Sequence, residues 1–165
     1  MYGLIFSMLM ALSLSGEPQK PPFAFEKIIF HTTRCFGSCP VIDMEIDSKR
    51  RVKIHREIYK GKSQTDKKAS GNFKGMIDLK TYRKLIDTLA ASDYTHLKFP
   101  AEFCCDAPVI SLIVYANGQR TEMTSMFPPE EAQHLIAFLR GLGVGLKLPK
   151  TQGEVRLEEV KRPSK

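Results

Sequence analysis

The chain has 165 residues, 42% of them apolar and 26% charged, with a formal net charge of +7. Those proportions describe one globular domain with a real hydrophobic core and exclude a disordered or coiled-coil chain. No apolar run reaches the roughly 18–20 residues that a bilayer-spanning helix needs, so no transmembrane span is expected in the mature chain.

Residues 1–15 carry no charge and contain an apolar stretch from Leu4 to Leu14. Its length suits the apolar region of a signal peptide better than a membrane span, although Met1-Tyr2-Gly3 lacks the usual basic residue. Ser13 and Ser15 are small residues where a signal peptidase reads, which predicts cleavage before Gly16. The mature protein is then periplasmic or secreted, and its four cysteines meet an oxidising compartment that favours disulfides. Residues 16–26 are proline-rich and read as a tether.

The folded part is expected over residues 27–146. Lys27 to Thr33 is β-rich and forms the first strand, ending at the turn Cys35-Phe36-Gly37-Ser38-Cys39-Pro40. Val41 to Asp47 alternates, with Ile42, Met44 and Ile46 on one face and Asp43, Glu45 and Asp47 on the other. Arg51 to Ile58 answers it, with Val52, Ile54 and Ile58 inward. A three-residue loop, Ser48-Lys49-Arg50, pairs Ile46 with Val52 and Met44 with Ile54. On the outer face the same register sets Asp47 by Arg51, Glu45 by Lys53 and Asp43 by His55.

Residues 49–74 hold ten basic and two acidic side chains. That +8 segment leaves −1 for the rest of a +7 chain. Within it, Tyr59 to Ser70 has no periodicity and reads as a mobile loop, and Gly71 to Ile77 as a short further strand. Lys60, Lys62, Lys67, Lys68 and Lys74 are the candidate basic patch, suited to an anionic surface. Nucleic acid is not expected, because Tyr59 and Phe73 are the segment's only aromatics. A solvated lysine-rich loop is the plainer reading.

Asp78 stands where an N-cap belongs, and Leu79, Tyr82, Leu85, Ile86 and Leu89 recur at helical spacing up to about Ala91. Ser92 to Pro108 is irregular and carries Cys104, Cys105 and Asp106. Val109 to Ala116 is the most apolar strand. Asn117-Gly118 then predicts a two-residue hairpin that pairs Val114 with Thr121 and Leu112 with Met123. Pro128-Pro129 opens a second helix with Glu130 and Glu131 in its first turn, and Ala132, Leu135, Ile136, Leu139 and Leu142 form its stripe. Gly141, Gly143 and Gly145 end it. Residues 147–165 read as a charged flexible tail. The order β-β-β-(β)-α-β-β-α predicts an α+β fold, a single mostly antiparallel sheet of about five or six strands with two helices on one face.

Four cysteines allow three pairings. Gly37 would let Cys35 reach Cys39, leaving Cys104 and Cys105 as thiols or a vicinal pair. Alternatively one turn cysteine reaches the 104–105 loop. His31, Cys35 and Cys39 also read H-x3-C-x3-C, a soft ligand set for zinc or copper that Cys104 or Cys105 would complete. The spacing is not that of a recognised finger. A redox dithiol would more usually be C-x-x-C before a helix, whereas here a strand follows. Asp106, held near Pro108, is placed to accept from amides of the cysteine turn or simply to cap its own loop. No nucleophile–base–acid set, metalloprotease helix or phosphate loop emerges, so no catalytic residue or cofactor is named.

The motif C-F-G-S-C-P, with the alternating hairpin behind it, resembles the bacterial family known as domain of unknown function 6438. Three weaker matches accompany it: Gly71-Asn72-Phe73-Lys74-Gly75 before a helix, Asp106-Ala107-Pro108 before the second hairpin, and Asn117-Gly118. The likeness spans about residues 27–142. Two departures stand out: the first hairpin's turn usually carries a glycine, and Cys104 and Cys105 lie outside the pattern. The resemblance implies this fold and an envelope location, and it favours the Cys35–Cys39 pairing because only those two cysteines belong to the motif. It implies no catalytic residue. The resulting expectation is an exported, non-catalytic accessory or binding domain with Phe36, Gly37, Pro40 and Asp106 as its candidate functional loop, its partner unknown, an anionic surface or another envelope protein being the options. The alternative is a thiol redox or metal-handling protein using Cys35 and Cys39.

Overall fold

A computed structural model describes residues 23–61, 64–102, 104 and 106–158. The expected signal peptide, most of the tether, Lys62 and Cys105 lie outside the described residues. Eight elements follow one another: β1 (Phe25–Thr32), β2 (Val41–Asp47), β3 (Arg51–Glu57), β4 (Gly71–Met76), α1 (Leu79–Ala91), β5 (Ile110–Ala116), β6 (Gln119–Ser125) and α2 (Glu130–Gly145). The strands form one six-stranded sheet in the order β4-β3-β2-β1-β5-β6, with every neighbouring pair antiparallel. The fold is α+β.

Both expected hairpin registers are present: Ile46 faces Val52 and Met44 faces Ile54, and Val114 faces Thr121 and Leu112 faces Met123. Each turn uses left-handed backbone, Arg50 at φ 64° in the first and Asn117 and Gly118 at 54° and 70° in the second. Asn117 also ties the hairpin to the start of β1, accepting from the Ala24 amide at 2.9 Å and donating to the Ala24 carbonyl at 2.8 Å. What adjacent periodicity leaves open is how the two hairpins meet. They meet through β1, whose Ile28 and Phe30 face Ile46 and Met44 on one side and Val114 and Leu112 on the other.

The inner face of the sheet, with Ile28, Phe30, Ile42, Met44, Ile54 and Leu112, packs with both helices into one core. α1 is capped as expected: the Thr81 amide donates to Asp78 Oδ1 at 2.8 Å. Leu85 and Leu89 are fully buried, whereas Leu79, in the first turn, faces solvent. On α2 the stripe Ala132, Leu135, Ile136 and Leu139 is buried.

Three expectations needed correction. Of the three glycines expected to end α2, Gly145 is its last residue, whereas Gly141 and Gly143 sit inside its last turns. Gly143 belongs there because the helix lies directly on β2, where an added Cβ would come within 2.6 Å of Ile42 Cγ2. On β3, Arg56 rather than Ile58 continues the inward row after Val52 and Ile54. Arg56 is 7% exposed, spends its guanidinium on the carbonyls at the end of α2 and stacks on Phe73 at 4.3 Å.

The third correction concerns the tail. Its first twelve residues, 147–158, are ordered against the domain by specific bonds. Leu148 packs on Gly75, whose missing side chain leaves room: a Cβ there would meet Leu148 Cδ2 at 2.8 Å. Lys150 bridges Phe73, the Thr151 amide donates to Asn72 at 2.9 Å, and Glu158 reaches Lys27, Tyr115 and Arg120. Leu148 still packs against the helix-side core; the segment then pairs along β4 and reaches Lys27, Tyr115 and Arg120 on the opposite face. Its polar composition hides this role, because what it joins is a polar surface.

Candidate functional site

The turn between β1 and β2 is closed by a covalent bond. Cys35 and Cys39 form a disulfide with a Cα–Cα distance of 5.6 Å, so neither is bonded to Cys104 or Cys105. The Gly37 amide lies 3.2 Å from Cys35 Sγ, inside the ring. Thr32 fixes the base of the turn: its hydroxyl donates to the Pro40 carbonyl at 2.8 Å and accepts from the Ile42 amide at 3.1 Å. On the other side Thr33 and Val109 exchange two bonds, at 3.0 and 2.9 Å.

The Phe36 amide donates to the backbone carbonyl of Asp106 at 3.3 Å. The contact anticipated for the Asp106 carboxylate thus runs through its main chain, because Pro108 and the start of β5 bring that backbone alongside the turn. Arg34, Cys35, Phe36, Asp106 and Ala107 line a shallow depression here. Phe36 projects from it with 75% of its surface exposed. An aromatic ring in water on a covalently closed loop is unusual for a residue whose burial ordinarily contributes a few kcal/mol.

Residues the sequence did not mark complete the rim. The Arg34 guanidinium lies 4.7 Å from the centroid of the Tyr59 ring, and the Tyr59 hydroxyl donates to the Glu57 carboxylate. That bond to Glu57 is the main reason the phenol's pKa is raised. Tyr59 reaches the turn because Glu57 pairs with Val41, the first residue after Pro40. Only the hairpin register could have signalled it.

A family model described as Domain of unknown function (DUF6438) matches residues 26–143. The chain belongs to that family. No curated protein matches it. The DUF6438 region runs from the start of β1 almost to the end of α2, so it contains the disulfide turn, the Asp106 loop and the whole sheet.

The other candidates are dispersed. His31, on β1, points to the face opposite the helices, where Nδ1 lies 2.8 Å from Asp43 and Nε2 3.1 Å from the Glu158 carbonyl. It does not join the two sulfurs. Asp43 is thereby taken from His55, which instead lies 2.7 Å from Asn72. Cys104 is exposed, and Cys105 is outside the described residues.

Within the basic segment several charges have partners of their own. Arg51 and Lys53 pair with Asp47 and Glu45 on the sheet, Arg56 is inside, and Lys60 lies 3.2 Å from Asp66. Lys67, Lys68 and Lys74 are exposed. The loop after β3 folds back on itself, through a Tyr59–Thr65 bridge and an Asp66 amide that donates to Ile58 at 2.7 Å. No helix among the described residues is long and apolar enough to cross a membrane.

Proposed function

We propose that the protein is an exported bacterial accessory domain that binds another envelope protein through its disulfide-braced turn. The observation that carries this reading is Phe36, exposed at the tip of a loop closed by Cys35–Cys39 and fastened at its base to β2 and β5. A rigid loop loses little conformational entropy on binding, and an aromatic anchor is the side chain that most repays desolvation at an interface. The disulfide supports an oxidising destination, where such bonds persist. The apolar stretch at residues 4–14 supports export.

The test begins with the natural full-length gene expressed in a bacterial host with an envelope. The expected mature mass starts at Gly16, and Cys35 and Cys39 resist alkylation until reductant is added. A photo-crosslinking residue at position 36 is then expected to trap one discrete envelope protein, and Arg34→Ala in the same background to weaken that adduct. A cytoplasmic, unprocessed chain or a crosslink pattern indifferent to the turn overturns the reading. If Cys35 and Cys39 instead react without reductant and take up one zinc or copper(I) per chain, the alternative thiol redox or metal-handling function replaces it.

A further inference from the structure

The sheet face opposite the helices holds a second constellation. β1 places Lys27, Ile29 and His31 on it, β5 sets Tyr115, Ile113 and Ser111 beside them, and β6 adds Arg120 opposite Tyr115. Ile29 and Ile113 are fully buried on this face although the helices lie on the other side. Lys27 Nζ lies 4.4 Å from the Tyr115 ring centroid, so ammonium, phenol and guanidinium stand in a row across three strands.

All three converge on one carboxylate. Tyr115 Oη lies 2.7 and 2.9 Å from the two oxygens of Glu158, Arg120 Nε donates to one at 2.8 Å, and Lys27 Nζ lies 3.4 Å from the other. Arg120 also pairs with Glu122 at 2.6 Å, which holds the guanidinium in place. One turn of strand away, His31 Nε2 lies 3.1 Å from the main-chain carbonyl of the same residue. Donors fixed on a rigid sheet thus contact both the side chain and the backbone of a single glutamate, and such charge-assisted bonds are the strong ones. Two positions before it, Arg156 is exposed and pairs with Glu154, whereas Val155 and Leu157 are half-buried.

We propose that this face is a receptor for an extended acidic peptide segment of a partner protein, one carrying a glutamate next to an aliphatic residue, and that residues 155–158 occupy it in cis. The site selects carboxylate through Lys27, Tyr115 and Arg120 and fixes strand direction through His31. The chain's own tail acts as a tethered competitor, present at an effective concentration on the order of millimolar. A partner segment gains access by displacing Glu158, whose removal exposes donors already set in position. This site lies on the opposite face from the helices, and its test is independent of the disulfide turn.

The experiment uses the full chain and a fluorescent 15-residue peptide with the sequence of residues 151–165. By fluorescence anisotropy the Glu158→Gln protein is expected to bind the peptide at least tenfold more tightly than wild type. A peptide with glutamine at the position of Glu158 is expected to lose at least tenfold. Tyr115→Phe, placed in the Glu158→Gln background, removes one donor without changing the core and is expected to weaken binding severalfold; a matched melting curve verifies the fold. Equal binding by wild type and Glu158→Gln, or indifference to the peptide's glutamate, overturns the proposal. So does a concentration-dependent dimer of wild type that Arg120→Ala dissolves, since the face would then take the tail of a second copy.

Discussion

Arg56 closes the end of α2 through Gly143, whose carbonyl oxygen lies 2.8 Å from Nη1. The Val144 and Leu146 carbonyls lie 2.8 and 3.2 Å from the same nitrogen, and Nε donates to Ala69 at 2.8 Å. A strand residue is therefore the C-terminal cap of a helix 87 positions away. The last carbonyls of a helix have no partner within it and carry the negative end of its dipole, so a buried cation there meets both needs. Burial lowers the guanidinium's pKa from its ordinary value, but arginine stays charged in proteins.

Arg56→Met keeps the apolar stem and leaves those carbonyls unpaired. Chemical denaturation should show a loss of about 2–4 kcal/mol, the range for removing a buried charged partner. Arg56→Lys should recover part of it, because an ammonium reaches one carbonyl but cannot fork to Ala69.

Two glycines of α2 should respond in opposite directions. Nothing lies within 4 Å of a Cβ built on Gly141, so Gly141→Ala should stabilise by up to about 1 kcal/mol through helix propensity. At Gly143 the new methyl meets Ile42 at 2.6 Å, and overpacking should cost about 1–3 kcal/mol. Thermal melts of the two variants, measured side by side, check the contact between α2 and β2. Two shifts of the same sign would refute it.

Arg50 occupies left-handed backbone in the β2–β3 turn, at φ 64°. Its amide donates to Asp47 at 2.9 Å and its carbonyl accepts from Ile77 at 3.0 Å, so the conformation is held from both sides. A residue with a Cβ is disfavoured there by about 1–2 kcal/mol. Arg50→Gly should raise stability by about 1 kcal/mol, while Lys49→Gly in the same loop should not.

Glu158 gives a pH dependence of known sign. Burial pushes its carboxyl up, but bonds from Tyr115, Arg120 and Lys27 and the Arg120 charge outweigh it and hold the pKa below its ordinary value of 4.5. A depressed folded pKa means that the carboxylate's contribution is complete above about 4.5 and is lost as pH falls through the lower folded value. Amide hydrogen exchange corrected for intrinsic rate should show residues 151–158 losing protection in that acid window while β1 stays protected. In Glu158→Gln the tail should be weakly protected at every pH.

Much of this was legible beforehand. The alternation Ile42-Asp43-Met44-Glu45-Ile46 with an odd loop admits one register, since a slip of one residue turns every apolar side chain outward. Asn117-Gly118 did the same for β5 and β6, and Asp78 for the start of α1. Arg56 was not legible, because an arginine in an alternating strand looks solvent-facing until a helix end is placed above it. Nor was Glu158, one of many charges in a stretch with no period.

The sequence by itself determined the main elements and both hairpins, and its match over residues 26–143 gives the family. These rest on contacts within a few residues, where chain geometry leaves few choices. Only the tertiary structure decided that β1 lies between the two hairpins, that Phe36 stands exposed on a closed loop, and that Glu158 meets Tyr115 and Arg120. Those relations join residues far apart in the chain, and which distant groups meet depends on packing of the whole core rather than on any local pattern.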